Sequence, residues 1–368
     1  MKILVAMSGG IDSSVIAYKL KEEGHEVIGV RFTLWTDPLA PPLAQILPSK
    51  CCNAQTIDRA NQVAKDLSIP LQILNLEDEF KKDVVDPFLK GYSEGRTPNP
   101  CIGCNRSLKF GKLLDLADEL GCDKLATGHY ARVAKEQQSD GSSKYLLLEA
   151  LDRTKDQSYY LYGLNQEQLS KVIFPLGGLQ KSEVFELATA FGVPYDDNSY
   201  KESQDLCFFP EKEPEAFLKR YIKNSKPGDI KLEDETIVGE HKGLPFYTIG
   251  QRKGLGIGGL KIPLHVVRKE VDSNTMYVAP NGADHKFELH ANDLRWVSWE
   301  PPKNEKTPFQ ARIHSLGEKH DGVLEHDGKT LYFRFDKGLR GIAEGQSIVL
   351  YKEEEIVGGA VITERMQK

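Results

Sequence analysis

Apolar and polar positions run along this chain in two rhythms, and the change between them falls near residue 210. Residues 3–6 (ILVA) form the continuous apolar run that a strand buried on both faces needs, and it stops at Ser8-Gly9-Gly10. Val15, Ile16 and Leu20 follow at helical spacing, with Gly24 as the stop. Residues 27–32 (VIGVRF) predict a second buried strand, and a helix over 54–67 follows a Pro-rich loop at 36–50. A third strand is expected over 71–76 and another helix over 77–90. Phe110, Leu113, Leu114, Ala117 and Leu120 sit at helical spacing within 107–120, Gly121 closes that helix, and 124–127 is a short strand ending in Gly128-His129. This alternation predicts an α/β fold, a doubly wound parallel sheet that binds ligands at the carboxyl ends of its strands.

After residue 211 a helix over 214–223 precedes short strand signals and a glycine-rich run over 250–259. From 286 onward the period is two. Leu331, Phe333 and Phe335 point one way, Tyr332 and Arg334 the other, Asp327-Gly328 is a hairpin turn, and 348–351 and 356–362 are further strands. A small β-barrel is expected there. The resulting division is a catalytic α/β domain over 1–210, a small central β-domain over 211–285 and a C-terminal β-barrel over 286–368. The polar stretches 136–143 and 196–205 read as loops, and residues 158–161 (SYYL) as an aromatic strand.

Composition narrows the function. The 48 basic residues against 54 acidic exclude a uniformly basic protein that coats nucleic acid. Residues 1–210 hold 23 Lys+Arg against 29 Asp+Glu and the remainder holds 25 of each, so any nucleic-acid site is a local patch. No stretch has the apolar length of a bilayer span and the N-terminus lacks a signal-peptide pattern, so a cytoplasmic protein with no membrane partner is expected. In that setting six cysteines read as chemistry or metal ligands before a disulfide framework.

A strand that runs into glycines and then a helix N-terminus binds phosphate. The glycines let backbone approach the anion and the first-turn N–H groups point at it. The hydroxyls of Ser8, Ser13 and Ser14 add donors. Neither the nucleoside triphosphatase pattern G-x-x-x-x-G-K-[ST] nor the dinucleotide pattern G-x-G-x-x-G is present in this run. SGGIDSS (8–14) resembles instead the loop of the ATP pyrophosphatase superfamily, which cleaves ATP between its α and β phosphates. A carboxylate at Asp12 beside a triphosphate implies Mg²⁺ between them. The plainer alternative makes Asp12 a helix cap.

Cys101 and Cys104 form C-x-x-C ahead of the 107–120 helix, and Cys207 lies far off in ESQDLCFF. Three readings stand: a zinc half-site, a redox pair, or sulfur transfer by Cys104 and Cys207 that uses ATP activation. Buried packing is the plain reading of Cys207.

The ordered set SGGIDSS, GRTPNPC-x-x-CN, TGHYAR, KDQSYYL, ESQDLCF, YTIGQRKGLGIGG and EGQS resembles the tRNA-specific 2-thiouridylase family of the MnmA type over essentially the whole chain. The resemblance implies ATP contacts at Ala6, Met7, Ser8, Gly9, Gly10, Ile11, Asp12, Ser13 and Gly128, with Phe32 at a position that packs on adenine, where core packing is the alternative. It implies Cys104 and Cys207 as the catalytic thiols, with Cys207 carrying a persulfide from a sulfur carrier or cysteine desulfurase relay. It also implies tRNA contacts at Asn99, His129, Lys155, Asp156, Gln157, Arg312, Ile313 and Gln346, with a target base in the single-stranded anticodon loop. Better-known members carry Asp where this chain has Cys101. That departure leaves open a [4Fe–4S] cluster on Cys101, Cys104 and Cys207 in place of the persulfide. Cys51, Cys52 and Cys122 have no expected role beyond packing, although Cys51 and Cys52 are possible further ligands. Two rivals remain: an ATP pyrophosphatase that delivers nitrogen, and a non-catalytic RNA-binding protein that senses ATP.

Overall fold

The computed structural model describes residues 1–41, 54–195, 206–211, 213–258, 262–280 and 285–366. Cys51, Cys52 and the 196–205 loop lie outside them. The first region is a five-stranded parallel sheet flanked by helices. Its strands are β1 (Lys2–Ala6), β2 (Glu26–Thr33), β3 (Leu71–Asn75), β4 (Lys124–Ala126) and, beyond the hairpin of β5 (Ala131–Gln137) and β6 (Ser143–Glu149), β7 (Val172–Ile173). They lie in the order β3-β2-β1-β4-β7. Alternate residues of each strand face opposite layers. Leu4, Ile28 and Val30 pack with Phe110 and Leu113, whereas Ile3, Val5 and Val27 pack with Val15, Val63 and Val184. Fully buried aliphatics on both faces explain the uninterrupted apolar runs, each contributing about 1.5–3 kcal/mol. The strand order reverses between β1 and β4, and a doubly wound sheet opens its ligand crevice there.

Six helices among the described residues serve this region. They are α1 (Ile11–Glu22), α2 (Ala54–Asp66), α3 (residues 77–93), α4 (residues 100–119) and, after β7, α6 (Lys181–Ala190); a short α5 (Gln166–Lys171) precedes β7. Helices α3 and α4 are longer than their apolar spacing predicts, because each contains a π-helical stretch, Lys81–Val85 and Asn105–Lys112. The inserted residue shifts the side-chain phase and hides the 3.6 period.

The second region holds α7 (Glu215–Tyr221) and a four-stranded sheet of β8 (Gly228–Lys231), β9 (Ile237–His241), β10 (Leu264–Glu270) and β11 (Thr275–Pro280). The third is a six-stranded antiparallel barrel: β12 (Lys286–Trp296), β13 (Thr307–Arg312), β14 (His320–His326), β15 (Leu331–Leu339), β16 (Ser347–Lys352) and β17 (Glu355–Met366), closed by the β12–β17 pairing. Leu331, Phe333 and Phe335 fill its interior while Tyr332 stays 40% exposed.

Two expectations are corrected. Residues 136–143 are the ends and tip of the β5–β6 hairpin, turned by Gly141 at φ 84° and by Asp140, whose carboxylate accepts from the Ser142 N–H. Strand β6 pairs across the domain boundary, with Leu147 and Leu148 opposite Ile356 and Glu355 of β17. Residues 158–161, expected as an aromatic strand, form a 3₁₀ turn. The Asp156 carboxylate accepts from both the N–H and the hydroxyl of Ser158, which turns the chain there.

Candidate active site

The phosphate-binding turn is Met7–Gly10, between β1 and α1. Gly9 has φ 76°, and a Cβ there would stand 1.9 Å from the carbonyl oxygen of Thr56 in α2, so glycine is required twice over. Arg59 of α2 donates from Nη1 to the Gly9 carbonyl at 2.8 Å and from Nε to the Pro194 carbonyl at 2.7 Å. This brace carried no signal in the chain beyond a charged residue on a helix. No side chain caps α1, whose N-cap is Gly10. The N-terminal turn is thus left to backbone donors, as an anion site requires. Ser13 and Ser14, expected as phosphate donors, each donate to the Gly10 carbonyl at 3.0 Å and brace the turn from within. Ser8 is exposed at the mouth.

Asp12 is the second residue of α1 and does not cap it. Its Oδ1 lies 2.5 Å from Nζ of Lys181 and accepts from the Tyr130 hydroxyl at 3.2 Å. Gly128 closes the constellation, since a Cβ there would lie 3.5 Å from Asp12 Cβ and 3.8 Å from the Ser13 nitrogen. TGHYAR and SGGIDSS therefore meet at one site, the crevice between β1 and β4. Lys181 was missed by sequence reasoning. Its only trace is the capping pattern of Gln180 and Glu183, which fixes the start of α6.

The thiols lie at the carboxyl side of β2 and β3. Cys104 is buried in an apolar cluster with Phe80, Phe88, Leu108, Phe208, Phe209 and Phe217, and half-buried Cys207, Phe32 and Leu74 pack against the same cluster. Cys207 is fixed from its C-terminal side. Phe208 and Phe209 lie 5.2 and 6.3 Å from the Phe88 ring, and Arg220 bridges Glu211 to the buried Asp37. Cys101 is half-buried one helical turn before Cys104, against Tyr160, whose hydroxyl pKa is raised chiefly by burial. Cys122 is half-buried after α4 and burial raises its thiol pKa. Among the described residues no three His, Cys, Asp or Glu side chains gather as metal ligands. Cys101, Cys104 and Cys207 do not fit a three-thiolate cluster site in this arrangement.

The residues expected at tRNA fall into two groups. Lys155 is half-buried, and Asn99 caps α4, its Oδ1 accepting from the Cys101 N–H at 3.2 Å. The others are built into the protein. His129 is buried against Phe110 and Phe174, with Thr127 Oγ1 at 2.8 Å from Nδ1 and Lys109 Nζ at 3.4 Å from Nε2. Burial first, and the Lys109 charge second, push its pKa well below the usual 6.5, so the ring is neutral. Gln157 accepts from the Tyr130 N–H at 3.1 Å. Asp156, Arg312, Ile313 and Gln346 lie in the seam between the first region and the barrel. Arg312 Nη1 is 3.2 Å from Asp156 and Nη2 is 2.9 Å from Glu149, and both carboxylates are 1% exposed. Burial raises the Asp156 pKa. Ile313 is buried, and Gln346 donates to the Thr97 carbonyl at 2.7 Å, just ahead of α4.

Three family profiles match the chain in succession: the tRNA methyl transferase HUP domain over residues 1–211, the tRNA methyl transferase PRC-barrel domain over 215–280, and the aminomethyltransferase beta-barrel domain over 286–362. The tRNA-specific 2-thiouridylase MnmA 1 of Caldanaerobacter subterraneus subsp. tengcongensis is 42% identical, covering 100% of this chain and 99% of its own. The tRNA-specific 2-thiouridylase MnmA of Moorella thermoacetica is 41% identical over 98% of each. The U34-tRNA thiolase NcsA from Methanococcus maripaludis with its [4Fe-4S] cluster aligns only at TM-score 0.33 and 20% identity, over 56% of this chain and 61% of its own, too remote to carry anything across. With close relatives matched from end to end, the chain belongs to the tRNA-specific 2-thiouridylase family of the ATP pyrophosphatase superfamily.

Proposed function

We propose that this protein is a tRNA-uridine 2-sulfurtransferase that converts the wobble uridine of the anticodon loop to 2-thiouridine, consuming ATP. The observation that carries the reading is the packing of Cys104 and Cys207 into one cluster with Phe32 and Leu74, which lie at the carboxyl ends of β2 and β3, the end of the sheet where the turn follows β1. The division 1–210, 211–285 and 286–368 belongs to this reading, with ATP chemistry in the first part and tRNA contact shared with the last. So does a cytoplasmic location, alongside its substrate. No helix among the described residues is long and apolar enough to cross a membrane.

A C2 carbonyl oxygen is a poor leaving group, so it attacks the α-phosphorus of ATP and pyrophosphate departs. The backbone donors of α1 face the phosphates, Gly128 leaves room for the nucleotide, and Phe32 offers a ring for adenine. Asp12 would offer Mg²⁺ the hard carboxylate oxygen that it favours once Lys181 gives way. Mg²⁺, when bound, neutralises charge on the departing phosphates. The Cys104 thiolate attacks the inner sulfur of a Cys207 persulfide, forming a Cys104–Cys207 disulfide and expelling hydrosulfide. Hydrosulfide adds to C2, loses its proton, and AMP leaves with the oxygen. An external thiol reduces the disulfide. In the alternative order the terminal persulfide sulfur attacks C2 directly and Cys104 then releases it.

The test is nucleoside mass spectrometry of unmodified tRNA after incubation with the protein, ATP, Mg²⁺ and a sulfur donor. 2-Thiouridine at the wobble position is expected, and its loss in Asp12→Ala, Cys104→Ala and Cys207→Ala. Full thiolation by both cysteine variants would overturn the relay through these two thiols, and absence of 2-thiouridine with the unmodified protein, aerobically and anaerobically, would favour nitrogen delivery or another chemistry.

A further inference from the structure

Asp12 carries its own cation. Lys181 Nζ sits 2.5 Å from Asp12 Oδ1, its side chain is 10% exposed, and the rings of Tyr130 and Phe185 stand 5.6 and 5.1 Å away. The lysine is held from behind as well. The Gln180–Glu183 capping box fixes the helix start, and the Lys181 N–H donates to Asp152 Oδ2 at 3.0 Å. This ammonium is part of the wall of the phosphate site, aimed at the carboxylate that the proposed function gives to the metal.

The inference rests on that reading of Asp12. We infer that Lys181 is a built-in counter-cation, which neutralises Asp12 and excludes a divalent ion before nucleotide arrives, then passes to the β- and γ-phosphates as Asp12 takes the metal. The physical reason is charge matching. A half-buried carboxylate against an ammonium has little net field, and a divalent ion approaching it meets a positive charge in a medium that screens poorly. A triphosphate brings more negative charge than Asp12 offers, so it draws the ammonium across and releases the carboxylate to the incoming ion. Metal and nucleotide then load together, which keeps bare Mg²⁺ from occupying the turn. Lys181 acts on Asp12 as a positioning residue until the phosphates reach it.

A lysine that merely ties α1 to α6 would, when removed, loosen the site and weaken every ligand. A counter-cation moves two affinities in opposite directions. On the full chain, Mn²⁺ alone is titrated by electron paramagnetic resonance and ATP in EDTA by calorimetry. Lys181→Met should bind Mn²⁺ at least about tenfold more tightly and metal-free ATP at least about tenfold more weakly than the unmodified chain. The Mn²⁺ gain should vanish in the Lys181→Met, Asp12→Asn double variant, and Lys181→Arg should keep the exclusion. Unchanged or weaker Mn²⁺ binding by Lys181→Met overturns the proposal. A second measurement needs no substitution: the Lys181 ammonium ¹⁵N resonance should shift on adding ATP in EDTA and stay in place with Mg²⁺ alone. A resonance that ignores ATP also overturns it. If both affinities move as stated while no tRNA is thiolated, the counter-cation stands and the proposed function fails separately.

Discussion

The phosphate-binding turn and the seam between the sheet domain and the barrel are built on opposite plans. In the turn, backbone decides: Gly9 is demanded by the Thr56 carbonyl, α1 is left without a side-chain cap, and Ser13 and Ser14 tie their hydroxyls to Gly10. In the seam, side chains decide. Glu149, 1% exposed, meets Arg153, Arg312 and Lys319, and Asp156 meets Arg312. A turn made of backbone tolerates almost no substitution but is written in consecutive residues. A seam made of charges is assembled from distant positions, and each charge is costly only when its partner is missing. The same residue types, acidic and basic near a catalytic domain, thus mean ligand chemistry in one place and assembly in the other.

Breaking the turn gives the largest expected effect. Gly9→Ala drives a methyl into the Thr56 carbonyl at a positive φ, and should cost about 4 kcal/mol or abolish ATP binding in whatever folds, read by denaturant melts and calorimetry. Next comes the seam. Arg312→Ala takes the guanidinium from Asp156, which is 1% exposed, leaves Glu149 to Arg153 and Lys319, and should cost about 3 kcal/mol, whereas Asp293→Ala, removing the exposed Arg106–Asp293 pair at 2.9 Å, should cost under about 1 kcal/mol. Equal effects of the two would show that the seam is not held by its buried charges.

Acid titration sharpens the contrast with the smallest effect. The native His129 pKa lies well below 6.5, so the unfolded chain takes up the proton first. Its stability contribution is present above pH 6.5 and falls as pH drops, by at most about 1.4 kcal/mol per pH unit. Asp156 has the opposite sign. Its folded pKa is raised above 3.8, so its contribution is present below that value and is lost as pH rises through the folded pKa. His129→Phe should therefore flatten the loss of stability between pH 6.5 and 5 in pH-dependent melts, and Asp156→Asn should remove the opposite-signed slope that sets in above pH 3.8. A His129→Phe chain that loses stability as steeply as the unmodified one would show that the imidazole is protonated in the native state.

Local rules made the sheet, α1 and the barrel hairpins readable in the chain. β1 and β2 are apolar without interruption because both faces are covered, and Asp327 with Gly328 at φ 94° closes β14 onto β15 as its turn chemistry requires. What escaped was non-local or out of phase. The π-helical stretch of α4 shifted the apolar register around Lys109 and Phe110, and the tip of the β5–β6 hairpin looked like loop because residues 136–143 are polar and mostly exposed, so that its local pairing of Glu136 with Lys144 and Gln137 with Ser143 left no apolar alternation. In the candidate site, Asp12, Gly128, Cys104 and Cys207 announced themselves through motifs. Tyr130 and Lys181 act only through the fold that brings them to Asp12. Arg312 and Asp156 were expected at tRNA from the family resemblance alone, and in this structure they pair with each other in the seam.

The strand pairing of β6 with β17 has a mechanical corollary. Because backbone hydrogen bonds run from the catalytic half into the barrel, the two halves cannot swing apart as independent bodies without unzipping a ladder. On the proposed function, an anticodon arm touching both would therefore meet a stiff frame. Thr97–Asn99, at the threshold of the cysteine-bearing helix, is tied into the same frame, because Gln346 of the barrel region donates to the Thr97 carbonyl.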